Sequence, residues 1–228
     1  CSFSTDIALA LWHNAHERMA PDIRQRLLDQ FAGGLEHYNV MDLQHHGFND
    51  NHVTMATSSL VLGGELTDQQ WAVDQGRCNL LNLRDTLLRR GLIHEANDCY
   101  FWHTMYSTAM VARWAQDEQC RELASSAEAR LWAEHAAFYH PNLGRKIGPS
   151  ARDYTKHRLH PVADGMGLWY VFGDDALIPA LPPALLVDDD PEHRPFTWGT
   201  HTKAEEIWLV GLCARVTAHH YEVPDAVA

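Results

Sequence analysis

From Asn49 to Tyr139 the sequence sets down one pattern twice. A polar Asn49-Asp50 pair opens a short apolar helix through Met55, Ala56, Leu60 and Leu62, which Gly63-Gly64 is expected to close. A longer amphipathic helix follows over 68–90, with Trp71, Cys78, Leu81 and Leu88 on its apolar stripe and Gly91 at its end. The second Asn-Asp pair, Asn97-Asp98, comes 48 residues after the first and opens another apolar helix through Trp102, Met105, Ala109 and Ala112. Asp117-Glu118 then starts a long helix to about Tyr139, with Leu123, Ala127, Leu131, His135 and Phe138 in line. Two-helix units repeating every ~40–50 residues stack into a solenoid or close into a ring. Within each unit the more uniformly apolar helix is expected inside, so 52–62 and 100–115 take the inner role and 68–90 and 118–139 the outer.

The flanks are less regular. Residues 5–18 read as a helix with Ile7, Leu11, Asn14 and Ala15 on one stripe, and Pro21 fits the first turn of the next. That helix is expected to run to about Phe31 and stop at Gly33-Gly34, with a His-rich loop from Glu36 to Phe48. An irregular Pro/Gly-rich segment occupies 141–201, and Thr202-Lys203-Ala204-Glu205 reads as the capping box of a final helix over 202–220. The reading is a single all-α domain over 1–228, with helix pairs near 4–32, 50–90 and 98–139 forming an incomplete (α/α) toroid. A full six-hairpin ring needs more chain, so this is a partial ring or a piece of a larger enzyme. The start at Cys1 reads as an arbitrary beginning, ahead of a lipidated cysteine or an N-terminal nucleophile.

Composition narrows the function. A net charge of -12 opposes a nucleic-acid surface, because phosphate binding needs clustered Lys and Arg. Arg84, Arg89 and Arg90 read as the wet side of a helix. No apolar run approaches the ~20 residues of a membrane span, so the chain is expected to be soluble. The five cysteines lack CxxC spacing and read mostly as buried thiols, not a disulfide framework or a zinc site. Among the 16 histidines there is no HExxH; His45-His46 and His219-His220 read as solvated, and no metal or cofactor is expected. Asp188-Asp189-Asp190 carries the acid spacing of a diphosphate-binding motif, but Pro191 and Leu181-Pro182-Pro183 oppose the helix it requires.

Two clusters can carry chemistry. Around the second Asn-Asp pair stand His94, Glu95, Tyr100, Trp102, His103 and Tyr106; His52 follows the first pair. Asn and Asp there can simply cap helices. Aromatic rings with amides and carboxylates at one rim also suit a sugar, the rings stacking on pyranose faces and the polar groups taking hydroxyls. The second cluster is the Gly148-Pro149 turn followed by Arg152, Asp153 and Tyr154, where Arg can hold a carboxylate in two-pronged fashion. A surface loop tied by an Arg-Asp pair is the plainer alternative.

The run Glu95-Ala96-Asn97-Asp98-Cys99-Tyr100, the helix pair ending in Tyr139-His140-Pro141, and Gly148-Pro149-Ser150-Ala151-Arg152-Asp153-Tyr154 resemble the α/α-toroid group of carbohydrate-active proteins. That group includes polysaccharide lyases and some glycoside hydrolases, and the resemblance covers roughly residues 49–155. It implies β-elimination on a uronate-containing oligo- or polysaccharide. Asn49 or Asn97 would neutralise the carboxylate, His52 or His103 act as base, Tyr100 or Tyr154 as acid, and Arg152 bind the acidic sugar. A hydrolase would instead draw two carboxyl groups from Asp50, Glu95, Asp98 and Asp153. A non-catalytic helical scaffold is the third reading, with partners in a larger chain or a second copy of this one.

Overall fold

The computed structural model describes residues 2–40, 45, 50–91, 100–140 and 145–146. These residues form an all-α assembly: α1 (Ser2–Ala15), α2 (Pro21–Leu35), α3 (Asp50–Ser58), α4 (Gly64–Leu66), α5 (Gln70–Arg90), α6 (Tyr100–Trp114) and α7 (Glu118–Phe138). Two-residue strands β1 (Tyr139–His140) and β2 (Arg145–Lys146) pair antiparallel beyond α7. The final helix expected over 202–220, and the irregular segment apart from Arg145 and Lys146, lie outside the described residues.

Local chemistry sets several boundaries. Pro21 occupies the first turn of α2, where no N–H partner is needed. Gly91 ends α5 in the left-handed region (φ 79°), its N–H donating to the Leu87 carbonyl. Asp117 caps α7 by accepting from the Cys120 N–H at 2.8 Å.

The two expected hairpins are present, α3–α5 and α6–α7, and they stack in the same sense. The Glu65 carboxylate in α4 accepts the N–H groups of Gln116 and Asp117 at 2.8–3.0 Å, so the chain segments running through α3 and α6 finish side by side. Further back, Ser58 of α3 and Ser107 of α6 both bond Asp6 of α1. Seven residues on, His13 of α1 stacks on Trp114 of α6 with ring centroids 4.8 Å apart. Thus α1, α3 and α6 are parallel. On the outside, Arg77 of α5 pairs with Asp117 at 2.6 Å, and Arg130 of α7 donates to the Gly91 carbonyl, so α5 and α7 are parallel as well.

In α3 every side chain but His52 is buried, and ten residues of α6 are buried. By contrast, α5 and α7 keep exposed faces. One core cluster ties Leu9, Phe31, Leu62, Leu80, Met110 and Leu123 together across both hairpins. A second joins Leu83, Leu87, Phe101, Met105, Leu131 and Trp132.

Several expectations are corrected. Gly63-Gly64 does not close the first helix. The chain continues through a π-helical turn (Ser59–Gly63) into α4, with the Gly64 N–H bonded to the Leu60 and Val61 carbonyls. These residues serve close packing: a Cβ on Gly64 would lie 3.0 Å from Val73 Cγ2 and 3.1 Å from Ala72 Cβ. Nor does Gly33-Gly34 stop α2, because burial of Phe31 and Leu35 carries the helix across it. Part of the expected loop, Glu36–Val40, is a 3-10 turn. Asp68 lies before α5 with φ 55°, in the turn, not the helix. The stripe of α1 falls on Asp6, Leu9 and Ala10, while Leu11 is exposed. The stripe of α5 runs through Ala72, Val73, Gly76, Leu80, Leu83 and Leu87; Cys78 is exposed and Leu88 is 72% exposed.

The inner helices are also less apolar than expected. Asp50, Asn51, Thr54, Thr57 and Ser58 are buried in α3, and His103, Thr104, Ser107 and Thr108 in α6. Hydroxyls satisfy themselves within the helix: Thr54, Thr57 and Thr108 each donate to the carbonyl four residues back. His45, expected to be solvated, is buried between α3 and α5, within bonding distance of Thr54 Oγ1 (3.1 Å) and Asn82 Oδ1 (3.2 Å).

Candidate functional site

Because α3 and α6 are parallel, their first turns lie at the same end of the assembly. Asp50, Asn51 and His52 come from one; Tyr100, Trp102 and His103 come from the other. Asp50 and Asn51 are fully buried and His52 is half-buried. Tyr100 and His103, one turn apart on α6, are buried with ring centroids 5.9 Å apart. Trp102 is half-buried and meets Trp132 edge-on at 6.0 Å and His135 at 5.1 Å. The remaining sequence candidates, Asn49, Glu95, Asn97, Asp98, Arg152, Asp153 and Tyr154, lie outside the described residues.

The end of α7 returns to this region and adds groups that sequence reading did not single out. The His135 ring lies among Phe101 (5.7 Å), Trp132 (5.9 Å) and Tyr139 (5.5 Å) as well as Trp102. Lys146 Nζ sits 3.6 Å above the Phe101 ring and 3.0 Å from Glu134 Oε1, with both side chains almost wholly excluded from solvent. A buried pair of this kind is held by mutual attraction against a large desolvation cost, and the ring face adds a cation–π contact. His135 lay on the legible stripe of α7 as a core residue. Lys146 and Glu134 had no such signal, since their pairing depends on how β1 and β2 fold back. One turn before Trp132, burial pushes the Glu128 carboxyl up to about 7, partly opposed by its hydrogen bond with the Trp132 side chain.

The arrangement combines two kinds of group. Tyr and His one helical turn apart can hold and pass protons. Aromatic faces, amide and carboxyl groups beside them can bind a polyhydroxylated ring. Among the described residues, no three His, Cys, Asp or Glu side chains gather as metal ligands do.

The opposite end has a different character. There a shallow polar pocket of about 330 Å³ is lined by Glu65, Asp68, Gln69, Gln70, Gln116 and Asp117. Two of its acids hold backbone: Glu65 accepts from the Gln116 and Asp117 N–H groups, and Asp117 accepts from the Cys120 N–H while the Arg77 guanidinium bonded to it holds its carboxyl below the ordinary range. Among the described residues, no helix is long and apolar enough to cross a membrane. No family model matches the chain, and no curated protein or solved structure is significantly similar to it.

Proposed function

We propose that this chain is part of a carbohydrate-active enzyme, that its stacked hairpins belong to an (α/α) toroid, and that it cleaves a uronate-containing glycan by β-elimination at the shared start of α3 and α6. The observation that carries this reading is the parallel run of α3 and α6, which brings His52 and Asp50 to the same end as Tyr100, Trp102 and His103.

Elimination needs three things. The sugar carboxylate must be neutralised so that the neighbouring C–H becomes acidic; a base must take that proton; an acid must protonate the departing oxygen. In this reading Asn51, buried beside Asp50, joins Asn49 and Asn97 as a candidate carboxylate partner. His103 is the base and Tyr100 the acid, with Trp102 as a stacking face for a neighbouring sugar and His52 near the solvent edge.

The test is to incubate the protein with a panel of uronate-containing polysaccharides and follow the short-wavelength ultraviolet absorbance of a C=C conjugated to a carboxylate, which an elimination product has and a hydrolysis product lacks. The expected outcome is a rise that falls by roughly 10²–10⁴-fold in His103→Ala and Tyr100→Phe. New reducing ends without absorbance would replace elimination by hydrolysis. Neither signal from folded protein would remove the catalytic reading and leave a binding scaffold.

A further inference from the structure

We propose that Asp6 is a neutral carboxylic acid in the assembled protein and that its proton latches α1 onto α3 and α6, so that losing the proton loosens α1. This inference does not depend on the carbohydrate reading.

The geometry starts from a single point where three parallel helices meet. Asp6 is 3% exposed, on the buried stripe of α1 with Leu9 and Ala10. Ser107 of α6 donates to its Oδ2. Ser58 Oγ of α3 lies 2.5 Å from its Oδ1 and also 2.8 Å from the Met55 carbonyl oxygen. A serine hydroxyl has one proton to give. If Ser58 gives it to Met55, the 2.5 Å contact to Oδ1 needs a proton from Asp6. A protonated Asp6 therefore satisfies every contact at once: the acid donates to Ser58, Ser58 donates to Met55, and Ser107 donates to Asp6. An ionised Asp6 would pull the Ser58 hydroxyl away from Met55.

No charge compensates an ionised Asp6 among the described residues. On the elements packed around it, the titratable and charged groups are His13, two turns onward on α1; Asp50 and His52, about two turns before Ser58 on α3; and, on α6, Tyr100 and His103 before Ser107, the half-buried Tyr106 beside it and the exposed Arg113 beyond it. On α2, Asp22, Arg26 and Asp29 are exposed and Arg24 half-buried. None pairs with Asp6, whose bonds go to the two serines. Burial outweighs those two bonds and pushes the carboxyl up to about 7. The folded value is raised above the unfolded one, so the stabilisation is complete below about pH 4, declines as pH rises, and is lost once pH passes about 7.

Backbone hydrogen exchange of the full chain, corrected for intrinsic rates, reads this directly. His13 on the same helix contributes the opposite slope, because burial holds its imidazole down to about 4 and its stabilisation grows as pH rises towards its unfolded value. The comparison with Asp6→Asn, which cannot ionise but keeps His13, isolates the latch: the ratio of wild-type to variant α1 protection is expected to fall by up to about tenfold per pH unit between about pH 5 and 7 and to level off above that. A ratio that does not change with pH overturns the latch. So does a loss confined to α7, which would assign the effect to Glu128. Should Asp6→Asn fail to fold, infrared spectra of wild-type protein carrying carbon-13 aspartate decide the matter. One aspartic acid carbonyl band that disappears as pH passes through neutrality supports the proposal, and its absence at pH 5–6 overturns it.

Discussion

Where α4 and α6 finish, acids and glycines fasten backbone to backbone; where α3 and α6 begin, aromatic rings, histidines and a buried Lys146–Glu134 pair crowd together. At the finishing end, Glu65 holds the N–H groups leading into α7, Asp117 caps that helix, and Arg77 ties it to α5. Nearby Gly76 lets α5 approach the π-helical turn so closely that a Cβ would lie 2.5 Å from Val61 Cγ2. The beginning end has its own tie, Arg130 of α7 to the Gly91 carbonyl that closes α5, and beside it polar side chains are held away from water. One end is fastened mainly through backbone N–H groups, and the other gathers aromatic rings, histidines and a buried ion pair.

The contrast can be tested by removing one element at a time. The largest loss is expected at the beginning end. Lys146→Met leaves the Glu134 carboxylate buried without its cation, a change that costs about 3–5 kcal/mol in such pairs. Urea unfolding measures it, and adding Glu134→Gln should restore much of the loss. At the finishing end, Gly76→Ala should cost roughly 1–3 kcal/mol through overpacking against Val61. The sign is diagnostic, because Gly→Ala inside a helix otherwise gains about 1 kcal/mol. A more stable variant would mean that the close approach is not required.

Asp117 supplies a smaller effect with a pH signature. Its carboxyl is held below the ordinary range, first by Arg77, so its contribution is present above the unfolded value of about 4 and is lost as pH falls through the folded one. Asp117→Asn keeps a capping side chain but loses the Arg77 ion pair, so it should cost up to about 1 kcal/mol near neutrality and flatten the acid limb of stability against pH, read by thermal melts. An unchanged acid limb would separate the cap from the ion pair. The smallest effect is expected at Leu88, 72% exposed on α5, where Leu88→Gln should change stability by less than about 0.5 kcal/mol.

Leu88 also marks the limit of sequence reading. Trp71, Cys78, Leu81 and Leu88 look like a stripe because they are the large or apolar residues at helical spacing. The face that packs is instead set by small residues, Ala72 and Gly76, which let neighbouring backbone approach. Glycine's meaning depends on a partner that periodicity does not reveal, and Gly63-Gly64 misled for the same reason. Asp6 was passed over because an acid on a helix reads as its wet side; only two serines from distant helices make it an interior residue. On α7, the expected stripe through Leu123, Ala127, Leu131 and His135 is buried with Ala124 beside it, while Phe138 at its end is half-buried. The placing of His52, Tyr100, Trp102 and His103 at the first turns of two parallel helices follows from the repeated helix openings, whereas Lys146 and Glu134 come together only through the β1–β2 return.

The shared direction of α1, α3 and α6 has an electrostatic consequence. Each helix aligns its peptide dipoles, leaving the equivalent of about half a positive charge at its first turn. The positive poles of α1, α3 and α6 point one way, while α5 and α7 run in the opposite direction and point theirs the other, so the outer pair offsets the inner three over the length of the assembly. At the finishing end, the Asp117 carboxylate stands on the positive pole of α7 as its cap. What the first turns of α3 and α6 offer a negative charge is therefore local, fading within about one turn of the helix start.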